Sequence, residues 1–173
     1  MSNLTFDRLG EWDRTLSQRI RVAENPGLLR SIAGILAHSG DSWFWIIGLM
    51  LLWLWGSAEW KTRSVILALG VIATAVLVMA MKFTIRRKRP EGEWGNIYRI
   101  TDPHSFPSGH AARAFMLAVL ASSFDVFWFG FTLAIWAPLV SLARVAMGLH
   151  YLSDIIAGMI IGLVIGALIL GLL

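Results

Sequence analysis

The chain has 173 residues, of which 57% are hydrophobic and 15% charged, and it contains no cysteine. A soluble domain of this size carries about 25% charged residues, so the composition excludes an ordinary water-soluble protein, a disordered chain and a disulfide scaffold. The formal charge is +4, but the cations cluster in the N-terminal segment and in Arg86–Arg89, which argues against a nucleic-acid partner. The sequence therefore predicts an integral membrane protein.

The first 41 residues contain two amphipathic helical patterns, separated by Asn25-Pro26-Gly27. The first pattern places four apolar side chains on one side of a helix: Leu9, Trp12, Leu16 and Ile20. We expect residues 1–41 to form interfacial helices on the membrane surface and residues 42–173 to form a transmembrane domain. The N-terminal segment lacks the pattern of a signal peptide, so we expect none.

Five apolar segments follow, each long enough or nearly long enough to cross a hydrocarbon core of about 30 Å at about 1.5 Å per residue. They are Ser42–Ala58, Ser64–Met81, Gly109–Phe124, Val126–Ala143 and Ile155–Leu173. The predicted fold is an all-α, polytopic transmembrane helix bundle with about five spans, preceded by the interfacial helices. The expected location is a cell membrane, which the chain crosses several times.

Three glycines in the last segment, Gly158, Gly162 and Gly166, recur every four residues. Small residues at this spacing line one helix face and allow a second helix to approach closely. We interpret this face as packing within the bundle. A homodimer interface is the less favoured alternative.

Polar residues concentrate in three clusters at the ends of the predicted spans. The first follows the second span, the second opens the third span, and the third joins the fourth span to the fifth. The clusters are Lys82–Pro90, Pro107–His110 and Arg144–Asp154. With five spans all three fall on the same side of the membrane, so we expect them to form one site.

The cationic and small residues of these clusters suit the binding of a phosphate group. Lys82, Arg89 and Arg144 offer a cationic pocket, in which each guanidinium can bind two oxygens. Ser108 and Gly109 precede a predicted helix, so their backbone amides can point at an anion.

The histidines suit the cleavage of a phosphate ester. His150 and Asp154 are four residues apart, so they lie one above the other if the helix begins early enough. The carboxylate can then hold the Nδ1 proton and leave Nε2 as a nucleophile, while His110 can protonate the departing oxygen. His38 and His104 fit no such spacing and receive no role.

Each cluster has a simpler interpretation when it is considered alone. A basic run such as Arg86–Arg89 beside a span is commonly an orientation signal and a headgroup anchor, and Pro-Ser-Gly is commonly a turn with a helix cap. The joint occurrence at matching span ends favours a single site. A non-enzymatic scaffold that binds anionic lipid is the alternative that treats the clusters as coincidence.

The three clusters together resemble the type 2 phosphatidic acid phosphatases, a family that shares its site with the vanadium haloperoxidases. The family pattern Lys-x6-Arg-Pro matches Lys82–Pro90, and Pro-Ser-Gly-His matches Pro107–His110. The pattern Ser-Arg-x5-His-x3-Asp matches the third cluster, with Ala143 in place of the serine. Three ordered motifs with correct internal spacing make the resemblance highly specific.

The resemblance implies an enzyme that hydrolyses a phosphomonoester or pyrophosphate of a membrane lipid without a metal or cofactor. His150 would attack phosphorus and form a phosphohistidine, Asp154 would orient it, and His110 would protonate the leaving group. The phosphoryl oxygens would be held by Lys82, Arg89, Ser108, Gly109 and Arg144. Candidate substrates are phosphatidic acid, phosphatidylglycerophosphate and prenyl phosphates or pyrophosphates. The alternative activity is a lipid-linked phosphotransferase that uses the same histidine.

The distribution of cations predicts the orientation of the site. All of the 15 Lys and Arg residues except Lys61 and Arg63 fall in the N-terminal segment or on the side of the three clusters. Positive charge is retained on the cytoplasmic side of membrane proteins, so we expect the site on the cytoplasmic face.

Overall fold

The computed structural model of the chain describes residues 2–92 and 94–173, with the exception of the side chains of residues 2–7, 9 and 97. This part of the chain forms eight helices: α1 (Ser2–Arg19), α2 (Leu28–Ser39), α3 (Ser42–Trp55), α4 (Ala58–Ile85), α5 (Asn96–Thr101), α6 (Gly109–Ser122), α7 (Phe127–Ala146) and α8 (Leu152–Leu170). Its β-type pairing is an isolated bridge between Lys88 and His104. The predicted all-α transmembrane bundle is confirmed.

Among the described helices, α4, α7 and α8 are long and apolar enough to cross a membrane. The pair α2 and α3 can form a fourth span, which is bent by 58°. Helix α6 has only 14 residues, or about 21 Å, which is less than the hydrocarbon thickness of about 30 Å. The structure therefore supports three or four spans where the sequence predicted about five.

The short helix α6 lies at the centre of the bundle. Eleven of its 14 residues are buried, and it packs against α4, α7 and α8. Met116, Leu117 and Leu120 of this helix form the main core with Leu67 and Val71 of α4. Because α6 contacts other helices rather than lipid, it can present its N-terminus to the site without spanning the full bilayer.

The glycine face of α8 packs against α6, as the favoured interpretation predicted. Gly158, Gly162 and Gly166 are all buried. A side chain at Gly162 would collide with the carbonyl oxygen of Ala112, so the two backbones approach too closely for any residue larger than glycine. The alternative of a homodimer through this face is wrong, because α6 already covers it.

The N-terminal helix α1 contacts the rest of the chain through its polar side. Ser17 Oγ accepts the N–H of Leu152 at 3.0 Å, and Asp13 Oδ1 accepts the N–H of Ser153 at 3.0 Å. Three apolar side chains of the predicted stripe are exposed instead: Trp12 and Leu16 of this helix, and Ile20 directly after it. The side chain of Leu9, which belongs to the same predicted stripe, lies outside the described residues. An outward apolar face suits an interfacial helix, and the interfacial role of residues 1–41 stays a prediction.

Candidate active site

Three segments of the chain meet at one end of the bundle. They are the end of α4 with the loop that follows it, the N-terminus of α6, and the turn between α7 and α8. All eight predicted site residues lie there and are buried: Lys82, Arg89, Ser108, Gly109, His110, Arg144, His150 and Asp154. The structure thus brings together the residues that the three motifs selected.

Local turns direct these segments to the site. Helix α4 ends at Ile85, and the residue that caps it, Arg86, has a left-handed conformation with φ 55°. This conformation turns the chain towards Arg87 and Arg89. Gly148 has φ 67°, a conformation that favours glycine, and it reverses the chain between α7 and His150. At the N-terminus of α6, the backbone N–H of Ser108 donates to the carbonyl of Asp154 at 3.0 Å. Ser108 Oγ accepts the N–H of Ala111 at 3.4 Å and keeps its hydroxyl hydrogen for an anion. The expectation that the Ser108 amide points at an anion is not met, because that amide donates to Asp154.

His150 is oriented by Arg89. Its Nε2 lies 3.1 Å from Arg89 Nη1, which also donates to the carbonyl of Leu149 at 2.8 Å. A guanidinium can only donate, so Nε2 must be the acceptor and the neutral ring carries its proton at Nδ1. Burial and the positive charges of Arg89 and Lys82 lower the pKa of His150 well below its usual value. The ring is therefore neutral at pH 7, with an unprotonated Nε2 inside the site.

Asp154 lies beside the opposite edge of the His150 ring. Its Oδ2 is 3.5 Å from Nδ1 of His150 and accepts the backbone N–H of Tyr151 at 2.8 Å. The 3.5 Å separation exceeds a hydrogen bond by a few tenths of an ångström, and Nδ1 has no hydrogen-bond partner in the described part of the chain. The other oxygen, Oδ1, accepts from Arg87 at 2.6 Å. The helical spacing places the carboxylate on the predicted side of the ring, but its short contacts are to other groups.

The cations Lys82, Arg89 and Arg144 are buried near one another, and two of them pair with one carboxylate. Asp102 pairs with Lys82, and its Oδ2 accepts from Arg89 Nη2 at 2.8 Å. Arg144 instead donates to the carbonyl of Ala37 at 3.3 Å. The Oδ1 of Asp102 and the Nε of Arg144 have no hydrogen-bond partner among the described residues. Because the carboxylate pairs with only two of the three buried cations, an excess of positive charge is left, which a bound anion would neutralise. The same part of the chain contains no group of three His, Asp or Glu residues that could hold a metal ion.

His110 has a carboxylate partner that the motifs did not predict. Its Nε2 lies 2.7 Å from Oδ1 of Asp41, at the junction of α2 and α3. Asp41 also accepts the hydroxyl of Tyr98, at 2.8 Å for Oδ1 and 2.9 Å for Oδ2. Burial raises the pKa of Tyr98 to about 12, so this hydroxyl keeps its proton and can donate it to the carboxylate. The guanidinium of Arg144 stacks over the same tyrosine, 4.2 Å from the ring centroid.

Two cavities adjoin the cluster. A polar cavity of about 430 Å³ lies beside His150 and Arg89 and is bordered by α1. An apolar groove of about 1270 Å³ lies between α2, α3 and α7, and it reaches His38 and Trp94. Its apolar lining includes Trp45, Leu49, Leu133 and Trp136. The cluster thus borders the polar cavity directly, and the apolar groove reaches it through His38 and the contact of His38 with Tyr98.

The family model of the PAP2 superfamily matches residues 63–173. The chain belongs to the PAP2 superfamily. Among the similar proteins is decaprenylphosphoryl-5-phosphoribose phosphatase from Mycobacterium tuberculosis, which is 28% identical over 153 residues, or 86% of this chain and 82% of the relative.

Two solved structures share the fold of this PAP2 chain. The crystal structure of LpxE from Aquifex aeolicus aligns with a TM-score of 0.73 at 26% identity, over 91% of this chain and 93% of LpxE. A transmembrane PAP2-type phosphatidylglycerolphosphate phosphatase from Bacillus subtilis aligns with a TM-score of 0.76 at 22% identity, over 95% of this chain and 86% of that protein. These similarities extend the common architecture to most of the N-terminal region.

Several residues that contact the PAP2 motif residues were missed by the sequence analysis: Asp13, Asp41, Arg87, Tyr98 and Asp102. Arg87 was considered only as part of the basic run Arg86–Arg89 and received no role in the site. In the structure it pairs with Asp154 at 2.6 Å and with Asp13 at 2.7 Å. The others carry no spacing signal, since each belongs to a segment distant along the chain from the residue that it contacts.

This chain departs from the PAP2 pattern at Ala143, where the family usually has a serine. Ala143 is buried and packs against Ala37 and Met147. The departure therefore places a methyl group in an apolar contact beside Arg144, and it removes no group that contacts either histidine.

Proposed function

We propose that this PAP2 chain hydrolyses a phosphomonoester or diphosphate of a membrane lipid through a phosphohistidine at His150. The observation that carries the proposal is the state of Nε2, which accepts from Arg89 at 3.1 Å and so is unprotonated. Its one lone pair becomes available for attack when the Arg89 guanidinium donates to a phosphoryl oxygen instead. This nitrogen is buried within a cluster of cations suited to a phosphoryl group. A neutral imidazole beside an anion-binding pocket is the arrangement that nucleophilic attack on phosphorus requires.

The reaction would proceed in two steps. In the first, Nε2 of His150 forms a bond to phosphorus while the bond to the leaving oxygen breaks, and His110 gives that oxygen a proton. In the second, water attacks phosphorus, His110 takes a proton from the water, and the phosphorus–nitrogen bond breaks to release inorganic phosphate. Asp154 would hold the Nδ1 proton of His150 throughout, which is an orienting role.

The phosphoryl oxygens would be held by Lys82, Arg89, Ser108, Gly109 and Arg144. Lys82 and Arg89 both pair with Asp102. A phosphate dianion would compete for the same donors and satisfy the unpartnered Nε of Arg144. Preorganised donors of this kind stabilise the charge that develops on the transferred phosphoryl group.

A lipid chain is the substrate component that suits the apolar groove. The groove reaches His38, whose Nδ1 lies 2.7 Å from the Tyr98 hydroxyl beside Asp41 and His110. A substrate with its hydrocarbon chain in the groove would therefore bring its leaving oxygen towards the His110 side of the site. The similar mycobacterial protein is named as a phosphatase of a prenyl-linked phosphate, which supports the inclusion of prenyl phosphates among the candidate substrates.

The test is phosphate release from a panel of lipid phosphates by the purified chain in detergent, with EDTA present. The panel contains phosphatidic acid, phosphatidylglycerophosphate, and a prenyl phosphate and pyrophosphate. We expect His150→Ala to abolish turnover and to abolish an acid-labile phosphorylated protein that the unmodified chain forms. The matched control is His104→Ala, which removes an imidazole from the loop before α6. This variant is expected to retain most of the activity.

The alternatives predict different outcomes in the same assay. Turnover by purified His150→Ala would refute the nucleophile assignment, and loss of activity in EDTA would refute metal independence. Phosphate transfer that requires an added acceptor would identify a phosphotransferase. Failure of the unmodified chain to act on any member of the panel would favour the lipid-binding scaffold.

We further infer that the site faces the cytoplasm. The cations Lys61 and Arg63 belong to the first turns of α4, at the opposite end of that helix from Lys82. Arg21, by contrast, lies against Gly148 and Gly92 near the site. The asymmetry of charge between the two ends of the bundle supports retention of the site end on the cytoplasmic side.

A further inference from the structure

We propose that Asp41 is a positioning residue for His110, so that the site contains two carboxylate–histidine pairs rather than one. This role presupposes the proposed phosphohistidine mechanism, in which His110 serves as acid and then as base. Asp41 lies between α2 and α3, outside the residues 63–173 that match the PAP2 family. The N-terminal helices would therefore contribute a functional group to the site.

The contact between Asp41 and His110 is short, and the backbone next to Asp41 is held in place. Oδ1 of Asp41 lies 2.7 Å from Nε2 of His110, compared with 3.5 Å for the pair Asp154 and His150. The adjacent Gly40 lies against the imidazole, since a Cβ there would be 2.9 Å from Cδ2 of His110. Its carbonyl accepts from Nη2 of Arg113 on α6 at 3.2 Å. The turn that carries Asp41 is thus fixed directly against the histidine.

Both oxygens of the Asp41 carboxylate are held by further donors. The Tyr98 hydroxyl lies within 2.9 Å of each oxygen, and Nδ1 of His38 lies 3.3 Å from Oδ2. Nδ1 of His38 also lies 2.7 Å from the Tyr98 hydroxyl, which can accept from it while it donates to Asp41. Groups from α2 and α5 therefore hold the carboxylate in the orientation that faces His110.

The positive charges around His110 explain why this residue needs a carboxylate partner if it is to act as an acid. The titratable and charged groups that face His110 are Lys82 of α4, Tyr98 of α5, Arg113 of α6, Arg144 of α7, His150 of the following turn, and Asp41. Lys82, Arg113 and Arg144 oppose a second positive charge on the imidazole, whereas a carboxylate in direct contact favours the protonated form. Asp41 supplies that negative charge.

The geometry also assigns a role to each ring nitrogen of His110. Because Nε2 faces Asp41, Nδ1 is the nitrogen that would give its proton to the leaving oxygen. After the transfer, the neutral ring keeps Nε2–H towards Asp41, and Nδ1 can accept a proton from the attacking water. The carboxylate itself remains ionised in both steps, as in other carboxylate–histidine pairs.

The first test compares Asp41→Asn with the unmodified chain on phosphatidic acid, whose leaving group is an alkoxide that needs a proton. We expect kcat to fall about 100-fold, with little change in KM because other residues hold the phosphate. We also expect the basic limb of the kcat–pH profile to move to lower pH by about 1–2 units, because the imidazolium loses its proton more readily without the carboxylate. Asp41→Glu should restore the basic limb and part of kcat.

The second test uses a lipid-tailed nitrophenyl phosphate, whose leaving group departs without protonation. The kcat/KM of Asp41→Asn, which reports the first step and not the hydrolysis of the phosphohistidine, should fall less than about 5-fold on this substrate, since general acid catalysis contributes little there. Asp125→Asn is the matched control, because Asp125 is exposed at the end of α6 remote from the site.

The outcomes separate this role from a structural one and from the proposed function. An unchanged kcat in Asp41→Asn on phosphatidic acid, or an equal loss of kcat/KM on both substrates with an unchanged pH profile, would overturn the role of Asp41. In that case activity of the unmodified chain and its loss in His150→Ala would still support the proposed function. If the unmodified chain hydrolyses no lipid phosphate, the proposed function and the role of Asp41 both fail.

Discussion

Arginines 87 and 89 determine the state of the groups that flank the proposed nucleophile. Arg89 donates to Nε2 of His150, which assigns the ring proton to Nδ1. Arg87 donates to Asp154 at 2.6 Å and neutralises part of its charge. Both oxygens of Asp154 are fixed by other donors, Oδ1 by Arg87 and Oδ2 by the backbone N–H of Tyr151, so the carboxylate suits an orienting role. The two arginines are two residues apart, yet they act on opposite sides of one imidazole.

The lowered pKa of His150 predicts a pH dependence of stability. The unfolded chain binds a proton at this ring as the pH falls through about 6.5, whereas the folded chain keeps the ring neutral. The free energy of unfolding should therefore decrease as the pH falls below about 6.5, by up to about 2 kcal/mol at pH 5, and should be unaffected at higher pH. Thermal unfolding of the chain in detergent between pH 7.5 and pH 5 measures this decrease.

His150→Gln should remove this contribution, so the variant should lose less stability over the same pH range. His104→Gln is the control, because His104 is partly exposed and the change there leaves the buried ring in place. Equal acid sensitivity of His150→Gln and the unmodified chain would contradict a neutral, buried His150.

At the scale of helices, the contact between α6 and α8 determines where the N-terminus of α6 lies. The glycine face of α8 allows α6 to approach, and the Ser108 amide bonds to the Asp154 carbonyl at the site end of the same contact. Small residues on one helix therefore place the Pro-Ser-Gly-His segment beside His150. Helix α1 adds a second contact at this end, through Asp13 and Ser17.

Substitution of Gly162 should damage this contact. A Cβ at Gly162 would collide with the Ala112 carbonyl and would lie 3.0 Å from the backbone nitrogen of Met116. Because backbone atoms cannot move aside cheaply, we expect Gly162→Ala to lower the free energy of unfolding by about 1–3 kcal/mol and to reduce activity. Thermal unfolding in detergent and phosphate release measure the two effects.

Gly48 of α3 offers a matched control, since a Cβ there would have no neighbour within 4 Å. Gly48→Ala should be neutral or stabilising by up to about 1 kcal/mol, because alanine favours a helix. A Gly162→Ala variant that unfolds at the same temperature as the unmodified chain would contradict the packing role of this face.

At the scale of the whole molecule, the two ends of the bundle differ in charge. Arg63 at the far end lies between the rings of Trp60 and Phe124, at 5.3 Å and 5.4 Å from their centroids. The cations of the three motifs and of the loop before α6 lie at the site end. This asymmetry is the physical basis of the proposed cytoplasmic orientation.

Cysteine accessibility can test the orientation, because the chain has no cysteine of its own. Glu91 is exposed at the site end and Glu59 is exposed in the first turn of α4. In intact cells, a membrane-impermeant thiol reagent should label Glu59→Cys promptly and should label Glu91→Cys only after the membrane is permeabilised. Prompt labelling of Glu91→Cys in intact cells would place the site on the outer face and contradict the proposal.

The sequence alone determined the class of the molecule and the composition of most of the site. Low charge and long apolar segments specify a membrane bundle, and the motif residues are recognisable because each motif is local in sequence. Their convergence also followed from the sequence, since an orderly alternation of spans returns every second loop to the same side. The interpretation of the glycine face of α8 as internal packing was correct. It also rested on a local pattern, because a four-residue repeat specifies one helix face.

Only the tertiary structure decided which groups pair within the site. Asp41 and His110 are 69 residues apart, and Asp13 and Arg87 are 74 residues apart, so no local spacing links them. Periodicity shows which face of a helix a side chain occupies, but it does not show which face of another helix it meets. The short, buried helix α6 was wrongly counted as a span for a related reason, since its apolar residues resemble those of a lipid-facing span. Contact between distant segments depends on how the helices pack, and that packing is a property of the folded chain as a whole.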